Sequence, residues 1–156
     1  MTEEAATQTD EAAVQADEAA QRLAQRCMQV MLANDAASAS LGMKALWVRP
    51  GCAEVAMTVT PAMLNGHQIG HGGFVFALAD TAFAVACNSY NRNTVATGCD
   101  IDFVAQVQAG DRLRAVAAER YRRGRSGLYD VTVRREDGTV VAEMRGRARE
   151  IPGSLV

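Results

Sequence analysis

The sequence predicts an α+β fold, in which a curved antiparallel sheet wraps around one long apolar central helix. Residues 72–89 are apolar on nearly every side, so a helix formed by them must be covered on most of its surface. Four strand-like segments follow this stretch, and the last two are joined by Asp137-Gly138, a strong hairpin signal. Several strands grouped beside one buried helix are typical of the α+β class.

The N-terminal part predicts a tail and a docking helix. Residues 1–17 are polar, acidic and rich in alanine, so we expect them to be disordered or frayed. One domain of residues 18–156 follows, because this length suits a single hydrophobic core. Residues 18–34 predict an amphipathic helix, since apolar side chains recur there at helical spacing: Leu23, Cys27, Val30 and Met31.

Strands are predicted both before and after the apolar helix in the sequence. Residues 46–48 and 53–60 predict a hairpin around the turn dipeptide Pro50-Gly51. The other strands are expected at residues 95–104, 112–121, 128–135 and 140–150. Because one helix leaves an edge or a face of such a sheet exposed, we expect pairing with a second copy as a homodimer.

Composition limits the class of protein. The four cysteines form no C-x-x-C pair, so we expect reduced thiols in the cytoplasm. No basic leader is visible, and the apolar stretch is too short and interrupted to cross a bilayer, so we expect no membrane association. Residues 111–156 hold 11 arginines against 7 acids, but the net charge of −2 and 5% aromatic content argue against nucleic acid as a partner.

Asp80 is the first candidate for chemistry. It lies in the middle of the apolar helix, where a carboxylate is costly unless it is paired or hydrogen-bonded. Its position excludes a helix cap, and no basic residue lies within a turn of it in the sequence. In an apolar crevice a carboxylate can act as a nucleophile on an acyl group or as a general base for water. A buried ion pair is the structural alternative.

The glycines at the start of the helix are the second candidate. Free N–H groups at Gly72 and Gly73 suit an anion or a carbonyl oxygen, because the positive end of the helix dipole lies behind them. A tight entry turn is the alternative interpretation. Asp80 lies eight residues after Gly72, or ~12 Å along the helix axis. If both act on one carbonyl, the Asp80 belongs to a second subunit, and the helix lies at a two-fold interface.

The loop before the helix leaves alternatives open. Asn65 can hold a carbonyl or a water with its amide, but Asn65-Gly66 is also a common turn dipeptide. His67 and His71 are four residues apart, yet the surrounding glycines predict a loop and the H-E-x-x-H pattern is missing, so no metal is expected. His71 could instead orient the loop or the acyl oxygen.

Two charged clusters are weaker candidates. Asp100 and Asp102 share one face of a strand, where they are either solvated or a carboxylate dyad. An arginine cluster at a strand end is either a solvated rim or a phosphate site: Arg120, Arg122, Arg123 and Arg125.

Residues 65–89, NGHQIGHGGFVFALADTAFAVACNS, carry a motif that resembles the hotdog-fold acyl-coenzyme A thioesterases of the phenylacetic acid degradation (PaaI-type) branch. The likeness covers about residues 25–151, with LANDA and TVTPAMLNGH before the helix, and IDF and SGLYDV after it. By this resemblance we expect hydrolysis of aryl-acyl thioesters, such as phenylacetyl- or hydroxyphenylacetyl-CoA, to the free acid and coenzyme A.

The resemblance implies roles for four catalytic residues. The Gly72 N–H polarises the thioester carbonyl, and Asp80 of the neighbouring subunit is the nucleophile or the general base. Asn65 holds the attacking water or the acyl oxygen, and His71 lies beside the thioester. No cofactor or metal is needed, since coenzyme A is part of the substrate, and we expect the dimers to pair into a tetramer.

The resemblance also implies substrate contacts. The nucleotide end of the coenzyme is expected over Arg125, Ser126 and Gly127, and Gly73 and Thr97 are further candidates for contact with the substrate. Thr97 stands near the place where some relatives carry a water-positioning serine, but one residue of register would turn it to the opposite face.

Two other functions remain open on the same scaffold. A non-catalytic acyl-CoA-binding module would bind ligand without releasing a thiol. A hotdog enoyl-CoA hydratase, for which His71 offers a proton-transfer group, would change acyl unsaturation and leave the thioester intact.

Overall fold

The computed structural model describes residues 3–156, with side chains described from residue 13 onward. Six strands form one antiparallel sheet in the order β1-β2-β4-β5-β6-β3. The helix α3 contacts every one of these strands, which confirms the predicted α+β arrangement of a sheet around a central helix. The helices are α1 (Glu3–Ala33), α2 (Ala36–Ser40) and α3 (Gly72–Asn88), and a short 3-10 turn spans Pro61–Met63. The strands are β1 (Lys44–Arg49), β2 (Cys52–Thr58), β3 (Thr94–Phe103), β4 (Arg112–Arg123), β5 (Ser126–Arg135) and β6 (Val140–Glu150).

Helix α3 forms the centre of the core because its side chains are apolar and many are small. Leu78 and Ala82 are fully buried against the sheet. Gly146 of β6 permits close approach, since a Cβ there would lie 2.9 Å from the ring of Phe83. Tyr129 of β5 packs on the same ring, with 5.4 Å between the centroids. This packing fixes the position of α3, and with it the side chains that α3 presents.

Helix α1 begins earlier than predicted. The sequence places a frayed tail over residues 1–17, whereas the backbone is helical from Glu3, because alanine, glutamate and glutamine all favour a helix. Residues 1–2 lie outside the described part. Side chains 13–19 are exposed, and burial begins farther along, at Ala24 and Cys27. The division into a tail of residues 1–17 and a domain of residues 18–156 stays a prediction.

The hairpin turns use glycine where the backbone requires it. Gly51 and Gly138 have φ angles of +75° and +87°, in the left-handed region that glycine adopts without strain. The predicted hairpins at Pro50-Gly51 and Asp137-Gly138 are confirmed as β1–β2 and β5–β6. Strands β4 and β5 are longer than predicted, because the turn between them occupies only Gly124 and Arg125.

The sheet has two edges, β1 and β3. Strand β3 pairs only with β6, so its other edge has no strand beside it within residues 3–156. An edge of ten residues is a place where another chain can add a strand. None of the helices described is both long and apolar enough to span a bilayer.

Candidate active site

The start of α3 presents one free backbone donor. His71 precedes the helix with extended backbone, and its Nδ1 accepts a hydrogen bond from the Gly73 N–H at 2.9 Å. The Phe74 N–H donates to the His71 carbonyl at 3.0 Å. Among the hydrogen bonds of the described residues, the Gly72 N–H has no partner. A free donor therefore lies at the positive end of the helix dipole, at Gly72 and not at Gly73.

Asn65 is held by its own loop. Its Oδ1 accepts hydrogen bonds from the His67 N–H at 2.9 Å and the Ile69 N–H at 3.4 Å. Its backbone N–H donates to the Ile69 carbonyl at 2.8 Å, and Leu64 pairs with Gly70 as an isolated bridge. Because Oδ1 is used inside the loop, Nδ2 is left to donate to a ligand. The two interpretations of Asn65 are therefore compatible, since one amide both shapes the turn and offers a donor.

Asn65 and Gly72 line the same cavity, which has a volume of about 280 Å³. Phe103, at the end of β3, forms part of its wall. A Cβ on Gly72 would lie 3.0 Å from Cζ of this ring, so glycine keeps the approach to the free N–H open. The remaining lining is mainly apolar, with Ile69, Val75, Val104, Ala105, Val107 and Val141 beside the polar Gln106.

Asp80 is half-buried in the middle of α3. Desolvation by this burial raises the pKa of its carboxyl group above the usual aspartate value. No hydrogen bond or ion pair to its carboxylate is found among residues 13–156. A carboxylate that is desolvated and left without a protein partner fits a chemical role better than the alternative of a buried ion pair.

Asp80 lines a second cavity, of about 440 Å³. Apolar side chains make up much of its wall: Met31, Phe83, Ala84, Val95 and Leu155. No residue lines both this cavity and the one at Asn65 and Gly72. The structure thus brings Asn65, Gly72 and His71 together at one end of α3 and leaves Asp80 apart from them within a single chain.

A second carboxylate, Asp35, borders the Asp80 cavity. It caps α2, accepting from the Ser38 N–H at 2.9 Å and from the Ser38 hydroxyl at 2.5 Å. These bonds hold the pKa of Asp35 below its usual value, opposite to the shift of Asp80. Ser38 also contacts the Thr81 hydroxyl at 3.0 Å. The helix predicted over residues 18–34 ends just before Asp35, and an Asp before a short helix is a common N-cap signal.

Thr97 lines neither cavity. It is the extra residue of a β-bulge, since Ala96 pairs with Ala148 and Gly98 with Arg147. Its side chain is exposed, and its hydroxyl donates to the Arg147 carbonyl at 3.1 Å. Ala96, not Thr97, lines the Asp80 cavity. The expected contact between Thr97 and the substrate therefore stays a prediction.

The predicted coenzyme contacts lie at the β4–β5 turn. The Arg125 guanidinium donates to the Glu150 carbonyl through Nε at 3.0 Å and Nη2 at 2.8 Å. Arg149 donates to the Ser126 hydroxyl at 3.4 Å. A Cβ on Gly127 would lie 2.8 Å from the Tyr129 ring. Arg125, Ser126 and Gly127 do lie together on the surface, and their role in coenzyme binding remains a prediction.

The carboxylates of β3 face a charged groove on the sheet. Asp100 pairs with Arg147 at 2.5 Å, and this contact lowers the pKa of Asp100, which is the reverse of what a catalytic acid requires. The same groove, lined also by Asp102, holds Asp130 between Arg120 at 3.2 Å and Arg145 at 2.8 Å. Within residues 13–156, no three His, Cys, Asp or Glu side chains are placed to hold a metal ion.

Comparison with known proteins gives the family. The thioesterase superfamily model matches residues 67–142. The acyl-coenzyme A thioesterase PaaI of Escherichia coli (strain K12) is 45% identical over 125 residues, which cover 80% of this chain and 89% of the relative.

Solved structures agree with this match. The E. coli PaaI protein from the phenylacetic acid degradation operon superposes with a TM-score of 0.85 at 42% identity, covering 86% of this chain and 97% of that one. A mutant of the phenylacetic acid degradation protein PaaI from Thermus thermophilus gives a TM-score of 0.72 at 38% identity, covering 75% and 100%. The chain therefore belongs to the thioesterase superfamily, in its hotdog-fold, PaaI-type branch.

Proposed function

We propose that this protein hydrolyses aryl-acyl-CoA thioesters to the free acid and coenzyme A, at sites shared between two copies of the chain. One observation carries the proposal. A desolvated, unpartnered carboxylate at Asp80 and a free N–H at Gly72 lie on one helix but line separate cavities. If a second copy packs its α3 alongside this one in the opposite direction, Asp80 of each copy faces Gly72 of the other. The two-fold axis then creates two such sites.

The Gly72 half supplies the electrophilic assistance. The free Gly72 N–H and the Asn65 Nδ2 line one cavity, where they can donate to the thioester carbonyl oxygen or hold the attacking water. Charge builds on the carbonyl oxygen as the carbon is attacked, and the helix dipole stabilises that charge. His71 holds the Gly72 N–H in position, because its hydrogen bond with the Gly73 N–H fixes the first turn of α3.

The Asp80 half supplies the base or the nucleophile. As a base, its carboxylate takes a proton from water while the water oxygen attacks the carbonyl carbon. The C–S bond then breaks, and the coenzyme A thiolate leaves and is protonated. As a nucleophile, the carboxylate attacks the carbonyl carbon, the C–S bond breaks and the coenzyme A thiolate leaves and is protonated. Water then hydrolyses the mixed anhydride to the free acid and restores the Asp80 carboxylate. Both routes need an ionised Asp80. Its apolar surroundings raise the pKa of the carboxyl group and so disfavour ionisation, but they also leave the carboxylate poorly solvated, which makes it a stronger base and nucleophile once it is ionised.

The assembly follows from the edges and faces of the sheet. We propose that the free edge of β3 lies at the dimer interface, because β3 begins at the Asp80 cavity and ends at Phe103, beside Gly72. The charged groove on the sheet, which holds Asp100, Asp102 and Asp130 beside arginines, carries both signs of charge. It can therefore pair with the same groove of another dimer in a dimer of dimers.

Two features support an acyl-CoA as the substrate. Arg125, on the surface, can meet the phosphates of the coenzyme without any bound cofactor or metal. The relatives named for phenylacetic acid degradation favour an arylacetyl group as the acyl part.

The four cysteines are free thiols, which fits a reducing cytoplasm.

A thiol-release assay over phenylacetyl-, hydroxyphenylacetyl-, short-chain and long-chain acyl-CoAs tests the proposal, with enoyl absorbance followed in parallel. We expect release to be fastest with the aryl substrates. Asp80→Asn should lower kcat by about 10³-fold, within the range of general-base catalysis, with little change in KM. The control is Asp102→Asn, which removes an exposed carboxylate of β3.

Other outcomes would point to other functions. Saturable binding without thiol release would indicate an acyl-CoA-binding module, and altered unsaturation with an intact thioester would indicate a hydratase. Equal activity of Asp80→Asn and the parent would overturn the assignment of Asp80. Loss of activity in Asp102→Asn would instead support the carboxylate dyad on β3.

A further inference from the structure

The Asp80 cavity has one wall that comes from outside the helices and the sheet. Leu155, in the segment that follows β6, lines it. Two backbone contacts return this segment to the start of β3: the Ile151 N–H donates to the Asn93 carbonyl at 2.8 Å, and the Asn93 N–H donates to the Gly153 carbonyl at 3.3 Å. Leu155 is half-buried there, whereas Ser154 is exposed.

One amide side chain fixes Leu155 in place. Asn91 lies just after α3 with a φ angle of +57°, a left-handed conformation that asparagine tolerates. Its Oδ1 accepts from the Leu155 N–H at 2.9 Å and from the Val156 N–H at 3.0 Å. Its Nδ2 donates to the Val156 carbonyl at 2.8 Å. Three hydrogen bonds from a single side chain therefore set the position of Leu155 over the cavity.

We infer that Leu155, positioned by Asn91, closes the acyl pocket and limits the length of the acyl group that the enzyme accepts. The inference rests on the proposed function, since it assumes that Asp80, or a water that Asp80 activates, attacks the carbonyl carbon of the acyl group. The part of the substrate beyond that carbon must occupy space beside Asp80, and the apolar space there is the cavity that Leu155 shares with Phe83 and Met31. Its volume of about 440 Å³ is in the usual range for small-ligand pockets.

Changing the size of residue 155 tests this inference. The substrates are phenylacetyl-CoA and 4-phenylbutyryl-CoA, which share a ring but differ by two methylene groups. Leu155→Ala should raise the ratio of kcat/KM for the longer substrate to that for the shorter by about tenfold, the low end of the discrimination that a methylene contact gives. Leu155→Trp should lower kcat/KM for 4-phenylbutyryl-CoA by about tenfold or more.

A matched substitution controls for the general loss of a leucine. Leu46→Ala makes the same change on the edge strand β1, where the side chain is 46% exposed and lines neither cavity. It should leave the ratio of the two substrates at the parent value. Circular dichroism and thermal unfolding of each variant confirm that the folded protein is being compared.

Variants of Asn91 test its positioning role. Asn91→Gly keeps the left-handed backbone but removes all three hydrogen bonds, so it should shift the substrate ratio in the same direction as Leu155→Ala. Asn91→Asp keeps both acceptor contacts and loses only the Nδ2 donor, so its ratio should stay closer to the parent's. A merely structural role would lower stability in Asn91→Gly without moving the ratio.

The outcomes separate this inference from the proposed function. If the parent releases no thiol from any acyl-CoA, the proposed function fails and the inference fails with it. If the parent is an active thioesterase but folded Leu155→Ala and Leu155→Trp keep the parent's substrate ratio, only the inference about Leu155 is overturned.

Discussion

Nδ1 of His71 accepts a hydrogen bond from the Gly73 N–H at 2.9 Å, so the residue before α3 occupies one of the helix's first donors and leaves that of Gly72 open. Histidine is an unusual helix cap, because serine, threonine, aspartate and asparagine are the common ones. Here His71 caps the first turn of α3, directly beside the proposed reaction centre.

Removing the His71 side chain should destabilise the start of α3. His71→Ala should lower the free energy of unfolding by about 0.5–2 kcal/mol, because the Gly73 N–H loses its partner. His71→Asn should recover most of this loss, since asparagine is a good cap. Urea unfolding measures both variants. The control is His67→Ala in the exposed loop, and equal unfolding midpoints for His71→Ala and His67→Ala would contradict the capping role.

Asn65→Asp separates the two tasks of this side chain. The substitution keeps an Oδ1 acceptor for the His67 and Ile69 N–H groups but removes the Nδ2 donor. We expect kcat/KM for phenylacetyl-CoA to fall by about 10²-fold, the low end for losing a donor to a developing oxyanion, while thermal stability changes little. Asn65→Ala should lose both activity and stability. An Asn65→Asp enzyme as active as the parent would show that the amide serves the loop alone.

Gly72→Ala tests access to the free N–H. Its Cβ would lie 3.0 Å from Cζ of Phe103, so the ring must move by a few tenths of an ångström, and we expect only a small loss of stability. The methyl group would stand where the thioester approaches, and kcat/KM should fall by about 10²-fold through misplacement of the carbonyl. Gly66→Ala is the control, because a Cβ there meets nothing within 4 Å. Steady-state kinetics that do not distinguish the two variants would contradict the role of Gly72.

Asp80 should lower stability at neutral pH. Burial raises the pKa of its carboxyl group in the folded state above the unfolded value, so the folded protein binds more protons between the two pKa values. Stability therefore decreases as pH rises through that window. Asp80→Asn should melt at a higher temperature than the parent at pH 7, and the difference should disappear below the unfolded pKa of aspartate. Thermal unfolding from pH 3 to pH 8 measures this, and a variant that melts below the parent at pH 7 would argue that Asp80 has a stabilising partner.

Much of the fold follows from patterns that lie close together in the sequence. The apolar stretch of α3 and the Asp137-Gly138 turn identify the central helix and the last hairpin, because periodicity and turn chemistry are local signals. The start of α1 is less predictable. Its residues favour a helix by propensity, but the side chains of residues 13–19 are exposed, so no apolar pattern marks where the helix begins.

The site is only partly predictable, for a physical reason. Asp80 and Gly72 stand out because a lone acid and a glycine pair are costly in a buried helix unless they have a use. Leu155 and Phe103 give no such signal, since they reach their cavities through long-range contacts at Asn91 and at the end of β3. The β-bulge at Thr97 is equally hidden, because it depends on the register with β6.

The central claim is that each reaction centre takes Asp80 from one copy and Gly72 with Asn65 from another, and subunit complementation tests it most directly. Asp80→Asn and Asn65→Asp chains, each of which alone should keep about 1% or less of the parent activity, are co-expressed with different tags and assayed for thiol release. Random pairing makes half of the dimers mixed, each with one intact centre of two, so the account predicts recovery of about a quarter of the parent activity. No recovery in purified mixed dimers would contradict the account, because it would mean that Asp80 and Asn65 act within the same chain.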